Sequence, residues 1–181
     1  MKEAALEYNL VEIDFNWEWN YIPSDDVISH FVADDSTIDA FTKTPEIEYD
    51  ENNIPKGNSK IEIKMREKII KDFYAQWIAS NPAKKVWNEC LHADIYVKFV
   101  SINETFAKAA RTYKSTCAVF LLSDILKTAV LVKELDPKAN KNQRPYEKML
   151  LMRAFDNIKL IVGLQRSSQE HVQYSITVPE Q

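Results

Sequence analysis

Apolar positions along this chain follow two periods, and the places where the period changes divide it into elements. In LVEIDFNWEWNYI, Val11, Ile13, Phe15, Trp17 and Trp19 fall at every second residue with polar residues between them, the alternation of a two-faced strand. Such a segment also suits lying across a partner. Pro23-Ser24-Asp25-Asp26 reads as a turn in which Ser24 or Asp25 caps a short helix over residues 25–33. PEIEYDENNIPKGNS (45–59) is dense in Pro, Asn, Asp and Gly and reads as a linker.

Beyond residue 59 the period lengthens. Ser59-Lys60-Ile61-Glu62 fits a capping box, and Met65, Ile69, Ile70, Phe73, Tyr74, Trp77 and Ile78 recur at three-and-four spacing. That pattern predicts a helix over 60–80, closed by Asn81-Pro82 because a residue before proline resists the helical conformation. KKVWNECL (84–91) fits another short helical turn, and DIYVKFVS (94–101) alternates as a strand. Ser101-Ile102-Asn103-Glu104 repeats the capping-box pattern, so a helix is expected from there to Tyr113. CAVFLLSDILKTAVLVKEL continues as a second helical stretch, closed by Asp136-Pro137, and KANKNQRP (138–145) is a polar loop.

The last forty residues carry the best β pattern. YEKMLLMRAF, NIKLIVGLQR and HVQYSITVP are apolar runs separated by short polar breaks at Asp156-Asn157 and Ser167–Glu170. From residue 94 the order is β-α-α-β-β-β. The expectation is an α+β fold, its helices packed on one face of a mostly antiparallel four-stranded sheet. An acidic, aromatic-containing segment and linker (1–58) would precede a basic α+β domain (59–181).

Charge sharpens that division. The whole chain carries −4, but residues 1–54 hold 14 Asp/Glu against Lys2 and Lys43, a net of −12. Residues 55–181 hold 13 Asp/Glu against 21 Lys/Arg, a net of +8. Such sorting points to a polyanion for the basic part, a basic partner for the acidic part, or the one meeting the other. No run approaches the ~18 apolar residues of a membrane span and no secretory signal is evident, so a cytoplasmic location without membrane contact is expected.

Catalytic chemistry finds little to hold. Gly57 and Gly163 are the only glycines, which excludes GxGxxG and Walker-type loops, and no cofactor is implied. His30, His92 and His171 are far apart, and Cys90 and Cys117 form no CxxC, so neither a metal site nor a disulfide framework is expected. Lys108, Arg111 and Lys114 recur every three residues. With Ser115 or Thr116 capping the next helix they would make an anion cradle, although a solvated basic face with an ordinary N-cap is the simpler reading. On the last strand Gln173, Ser175 and Thr177 alternate with Val172, Tyr174, Ile176 and Val178, forming either a solvent-facing row or the floor of a shallow cleft beneath Lys98, Arg111 or Lys114. His171, just before them, titrates in the range useful for acid–base work.

The run MREKIIKDFYAQWIASNPAKKVWNECLHADIYVKFVSINETFAKAARTYKSTCAVFLLSDILKTAVLV, with KNQRPYEKMLLM, KLIVGLQRSS and VQYSIT, resembles an uncharacterised family of Bacteroidota genomes and their mobile elements. The resemblance covers about residues 61–178 and implies no activity. The expected architecture is also similar to the barnase–EndoU–colicin–RelE class of small ribonucleases. That similarity would assign His171 or His92 to proton transfer, Lys98, Arg111 and Lys114 to phosphorane charge, and Ser175 and Thr177 to positioning.

Two functional expectations follow. One is a mobile-element-associated binding or regulatory protein, an anti-defence role being one option, that contacts nucleic acid or a basic nucleic-acid-binding protein. Its Trp17, Trp19, Asp25, Asp26, Asp34 and Asp35 would meet the partner, and Lys98, Lys108, Arg111, Lys114, Ser115 and Thr116 the nucleic acid. The other is a metal-independent ribonuclease with His171, Lys114, Ser175 and Thr177 as candidate catalytic residues.

Overall fold

The computed structural model describes residues 50–180. The strand expected around 11–19, the helix at 25–33 and the six proposed partner-binding residues lie outside the described residues. A short 3-10 turn (Glu51–Asn53) leads into helix α1 (Lys60–Ser80). Ser59 Oγ accepts the Glu62 N–H at 3.3 Å and Glu62 Oε2 accepts the Ser59 N–H at 3.1 Å, so the capping box forms as its residue types dictate. Then follow β1 (Lys85–Asn88), β2 (Ala93–Tyr96), α2 (Phe99–Ala109), α3 (Tyr113–Val119), α4 (Leu122–Thr128), β3 (Val130–Leu135), β4 (Tyr146–Arg153), β5 (Lys159–Gln165) and β6 (His171–Thr177).

The four-stranded, mostly antiparallel sheet expected from the sequence is overturned. The sheet has six strands in the order β1-β2-β6-β5-β4-β3, and it is mixed because β2 runs parallel to β6. Two strands arise where helix was expected. After Pro82 the left-handed Lys84 (φ 53°) turns the chain back, and Lys85–Asn88 pairs with Ala93–Tyr96. At the other place α4 stops at Thr128, and the buried Asn88 amide donates to the Leu126 and Ala129 carbonyls at 2.8 and 2.9 Å. With those carbonyls satisfied by a side chain, the β-branched VLVKEL leaves the helix and pairs with β4.

The strand expected over 94–101 is also shorter. It ends at Tyr96, Lys98 becomes the N-cap of α2, and Ser101 Oγ accepts the Lys98 N–H at 2.8 Å from inside the helix. Asp156 and Asn157 form the β4–β5 turn with φ of 54° and 60°, a conformation these two residue types tolerate better than most.

The main core lies between the helices and one sheet face: Ile70, Phe73 and Trp77 of α1 and Leu122, Ile125 and Leu126 of α4 join Met152, Leu160, Val162 and Ile176. A smaller cluster of Tyr146, Met149, Val172 and Tyr174 fills the other face. β6 serves both through a bulge. Leu160 pairs with Ile176 and Ile161 with Ser175, but Val162 pairs with Gln173, so Tyr174 is the extra residue. Gln173 thereby faces the helices, where its side chain joins Tyr74 Oη (2.9 Å) and Thr105 Oγ1 (2.8 Å) in a sealed triad.

The sheet is strongly coiled. β1 and β3 are opposite edges, which a flat six-stranded sheet would hold about 24 Å apart. Yet Asn88 bonds to Ala129 beside β3, and the Leu131 N–H points to Cys90 Sγ at 3.4 Å. Beyond its two-residue pairing with β2, β6 is edged by helices: Ser101 Oγ donates to the Gln173 carbonyl and Ser115 Oγ accepts the Val178 N–H.

The described part of the expected linker is packed. Ile54 is buried, and Arg66, wholly buried on α1, donates to the carbonyls of Pro55 (2.8 Å), Gly57 (2.6 Å), Ala110 (2.7 Å) and Arg111 (3.3 Å). One guanidinium thus pins residues 55–57 to the α2–α3 junction. Among the described residues, no helix is long and apolar enough to cross a membrane.

Candidate polyanion-binding face

Helix α1 turns Arg66, Ile70, Phe73, Tyr74, Trp77 and Ile78 inward, and a 3.6-residue period then fixes what points out. Lys60, Lys64 and Lys68, four residues apart, form one exposed row roughly 12 Å long. Beside it, also four apart, run Ile61, Met65 and Ile69, the first two 73% and 49% exposed. Two parallel ridges result, one cationic and one apolar. Like charges at i,i+4 destabilise a helix by a few tenths of a kcal/mol per pair, so the fold itself gains nothing from the lysine row.

Further cations border these ridges. Lys71 Nζ sits 4.1 Å from the Phe106 ring centroid on α2. Arg111 is exposed just past α2, its carbonyl held by Arg66 and its Nε donating to the Ala107 carbonyl at 3.2 Å. Lys114 is exposed on the first turn of α3, and Lys56 Nζ lies 5.4 Å from the ring of its neighbour Tyr113. Because α1 and α2 are antiparallel (Arg66 meets Ala110, Tyr74 meets Thr105), Arg111 lies level with the N-terminal half of α1.

Direct ion pairs are few, and most of the described cations, those of this face included, enter none. Among the described residues the ion pairs are Lys85–Asp94, Lys98–Glu170, Lys108–Glu104 and Lys148–Glu134. None involves α1, Arg111 or Lys114. Of the three α1 acids, Glu62 is turned to the capping box, where its hydrogen bonds with Ser59 lower its pKa, and Glu67 is half-buried at neighbour spacing from Lys64 and Lys71. Asp72 continues the lysine row, and burial raises its pKa against the pull of Lys68 and Lys71.

The residues singled out from the sequence are dispersed. Lys98 is tied to Glu170 and to Gln165 Oε1 (2.8 Å) at the β5–β6 end, and its ammonium lowers the Glu170 pKa. Lys108 bonds Glu104 and lies over the Tyr174 ring at 4.7 Å. Ser115 and Thr116 do not cap α3. Thr112 does, accepting the Ser115 N–H at 3.2 Å, while Ser115 binds the Val178 N–H and Thr116 Oγ1 donates to the carbonyls of Ala109 and Thr112. Both hydroxyls are buried. Arg111 and Lys114 remain outward and available.

The catalytic candidates do not converge. Ser175 is buried opposite Ile161, and the β6 bulge breaks the expected row of Gln173, Ser175 and Thr177. Lys114 adjoins Ser115 beside Val178, whereas His171 begins β6 about 20 Å away by strand rise. His171 is half-buried, and desolvation lowers its pKa. His92 is exposed in the β1–β2 turn with Cys90. Among the described residues, no group of three or more His, Cys, Asp or Glu is arranged to hold a metal ion.

The lysine row is legible in the sequence as KxxxKxxxK within the predicted helix. Arg66 was legible too, since it falls on the inward stripe between Ile63, Ile70 and Phe73. Scans of protein-family models, curated proteins and solved structures found nothing that matches this chain.

Proposed function

We propose that this protein is a non-catalytic binding protein whose α1 face, extended by Arg111 and Lys114, grips the backbone of a nucleic acid. The observation that carries the reading is the exposed row of Lys60, Lys64 and Lys68 beside the exposed apolar Ile61 and Met65, a row that enters no direct ion pair among the described residues. Phosphate contacts of this kind give affinity without sequence preference, and the neighbouring Ile61 and Met65 add an apolar surface for unstacked bases. Acid–base cleavage of RNA requires a proton acceptor, a donor and cations around one phosphate, and His171, Lys114 and Ser175 do not meet. The nucleic acid is held intact.

Fluorescence anisotropy with a labelled 20-nucleotide oligouridylate tests the proposal on the full chain. Lys60→Gln/Lys64→Gln/Lys68→Gln is expected to weaken binding at least about tenfold at low salt, with Lys133→Gln/Lys148→Gln as a control that changes it little. Equal affinity of the triple variant and the native chain would refute it, and shortening of the oligonucleotide would restore the nuclease reading.

A further inference from the structure

The two ridges of α1 have a chemical counterpart in the same chain. Residues 1–49 carry 12 Asp/Glu against Lys2 and Lys43. Within them one stretch alternates acids or amides (Glu12, Asp14, Asn16, Glu18) with large apolar residues (Ile13, Phe15, Trp17, Trp19). A ligand of alternating acid and aromatic character is what a lysine row flanked by an apolar row selects. Aromatic anchors take the exposed Ile61 and Met65, and carboxylates take Lys60, Lys64 and Lys68.

The point of attachment fits as well. The described chain begins at Asp50, and Ile54 and the Arg66 hydrogen bonds to Pro55 and Gly57 fix the following residues beside the N-terminal half of α1. The 30 residues between Trp19 and Asp50 reach far beyond the roughly 12 Å row at about 3.3 Å per residue. Tethering also raises the local concentration of the segment to the millimolar range, so even weak complementarity is enough to occupy the face.

We propose that residues 11–19 dock in cis on the two-ridge face of α1 and there compete with the nucleic acid. The docking stands on charge, pattern and tether alone; the competition rests on the function proposed above. The segment is a built-in competitor, and a basic partner that captures it would free the face.

A pulse of acetylating reagent on the full chain, read lysine by lysine by mass spectrometry, tests the docking. Lys60, Lys64 and Lys68 are expected to react about fivefold or more slowly than the exposed Lys133 and Lys141, as for a face occupied most of the time. Asp14→Asn/Trp17→Ala/Glu18→Gln/Trp19→Ala should restore their rates and tighten oligouridylate binding by a similar factor. Equal rates in the native chain, or protection that the variant leaves unchanged, would overturn the docking. Protection that fades on dilution would assign the face to a second copy and overturn it too. Lysines protected in the native chain and released in the variant, with no RNA bound by either protein, would leave the docking standing and remove the nucleic-acid reading.

Discussion

Replacing Arg66 by methionine tests how the helical layer is held together. The guanidinium is wholly buried, and its acceptors are the carbonyls of Pro55, Gly57, Ala110 and Arg111, at 2.6–3.3 Å. Arginine suits this position because its planar fork presents five donors and stays charged, and the C-terminal end of α2 offers partial negative charge. Methionine keeps most of the apolar stem but strands the acceptors. Pro55 and Gly57 belong to the surface segment and rehydrate when it lifts, whereas the Ala110 and Arg111 carbonyls remain in the helix junction. Stranding the buried Ala110 carbonyl and the part-buried Arg111 carbonyl costs at most about 1–3 kcal/mol each, partly offset because a buried charge no longer has to be desolvated. The net expectation is a loss of roughly 3 kcal/mol, a large share of the ~5–15 kcal/mol typical of a domain. Urea denaturation with linear extrapolation measures it, and hydrogen exchange at residues 54–57 should accelerate. Arg66→Lys, with a single ammonium in place of the fork, should fall between. A stability of Arg66→Met within about 0.5 kcal/mol of the native chain, the usual range for a surface change, would refute the reasoning.

Three further outcomes follow from the packing. Gly163→Ala puts a Cβ 2.5 Å from Tyr146 Cδ1, in a ring already fixed edge-on against Tyr174, so the midpoint of thermal unfolding should drop by the equivalent of about 1–3 kcal/mol. Asn88→Ala removes both donors to the Leu126 and Ala129 carbonyls and the acceptor for the Leu91 N–H, and should cost about 2–3 kcal/mol in urea denaturation. Burial lowers the His171 pKa below its ordinary 6.5, so the unfolded chain takes up this proton first as the pH falls. That contribution to stability is intact above about pH 6.5 and is lost as the pH falls toward the folded-state pKa. His171→Gln should flatten the change in melting temperature between pH 7 and 5; an unchanged profile would show that the residue is solvated in the native state.

Elements whose own residues carry a period were legible in the sequence. The Ser59–Glu62 box, the inward stripe of α1 from Ile70 to Ile78 and the three C-terminal runs form as their local patterns imply, whereas Met65, expected on the same stripe, is exposed. What escaped depends on distant partners. β1 is four residues long, too short to show any alternation, and exists because β2 and the Lys84 turn supply its pairing. β3 continues a helical stretch in sequence and is released from it by a side chain 41 residues earlier, Asn88. With those two strands unseen, a six-stranded mixed sheet read as a four-stranded antiparallel one. The basic cluster at 108–116 divides for a related reason. Spacing alone does not separate cations turned to solvent, such as Lys114, from groups already engaged, such as Lys108 with Glu104 or Thr116 with two carbonyls.

The salt dependence of oligouridylate binding tests the central claim most directly. If the α1 face with Arg111 and Lys114 neutralises about five phosphates, the logarithm of the association constant should fall with the logarithm of salt concentration at a slope of roughly −3 to −4. The triple lysine-to-glutamine variant should lose about two units of that slope. A slope near zero, or one that the variant leaves unchanged, would contradict the account.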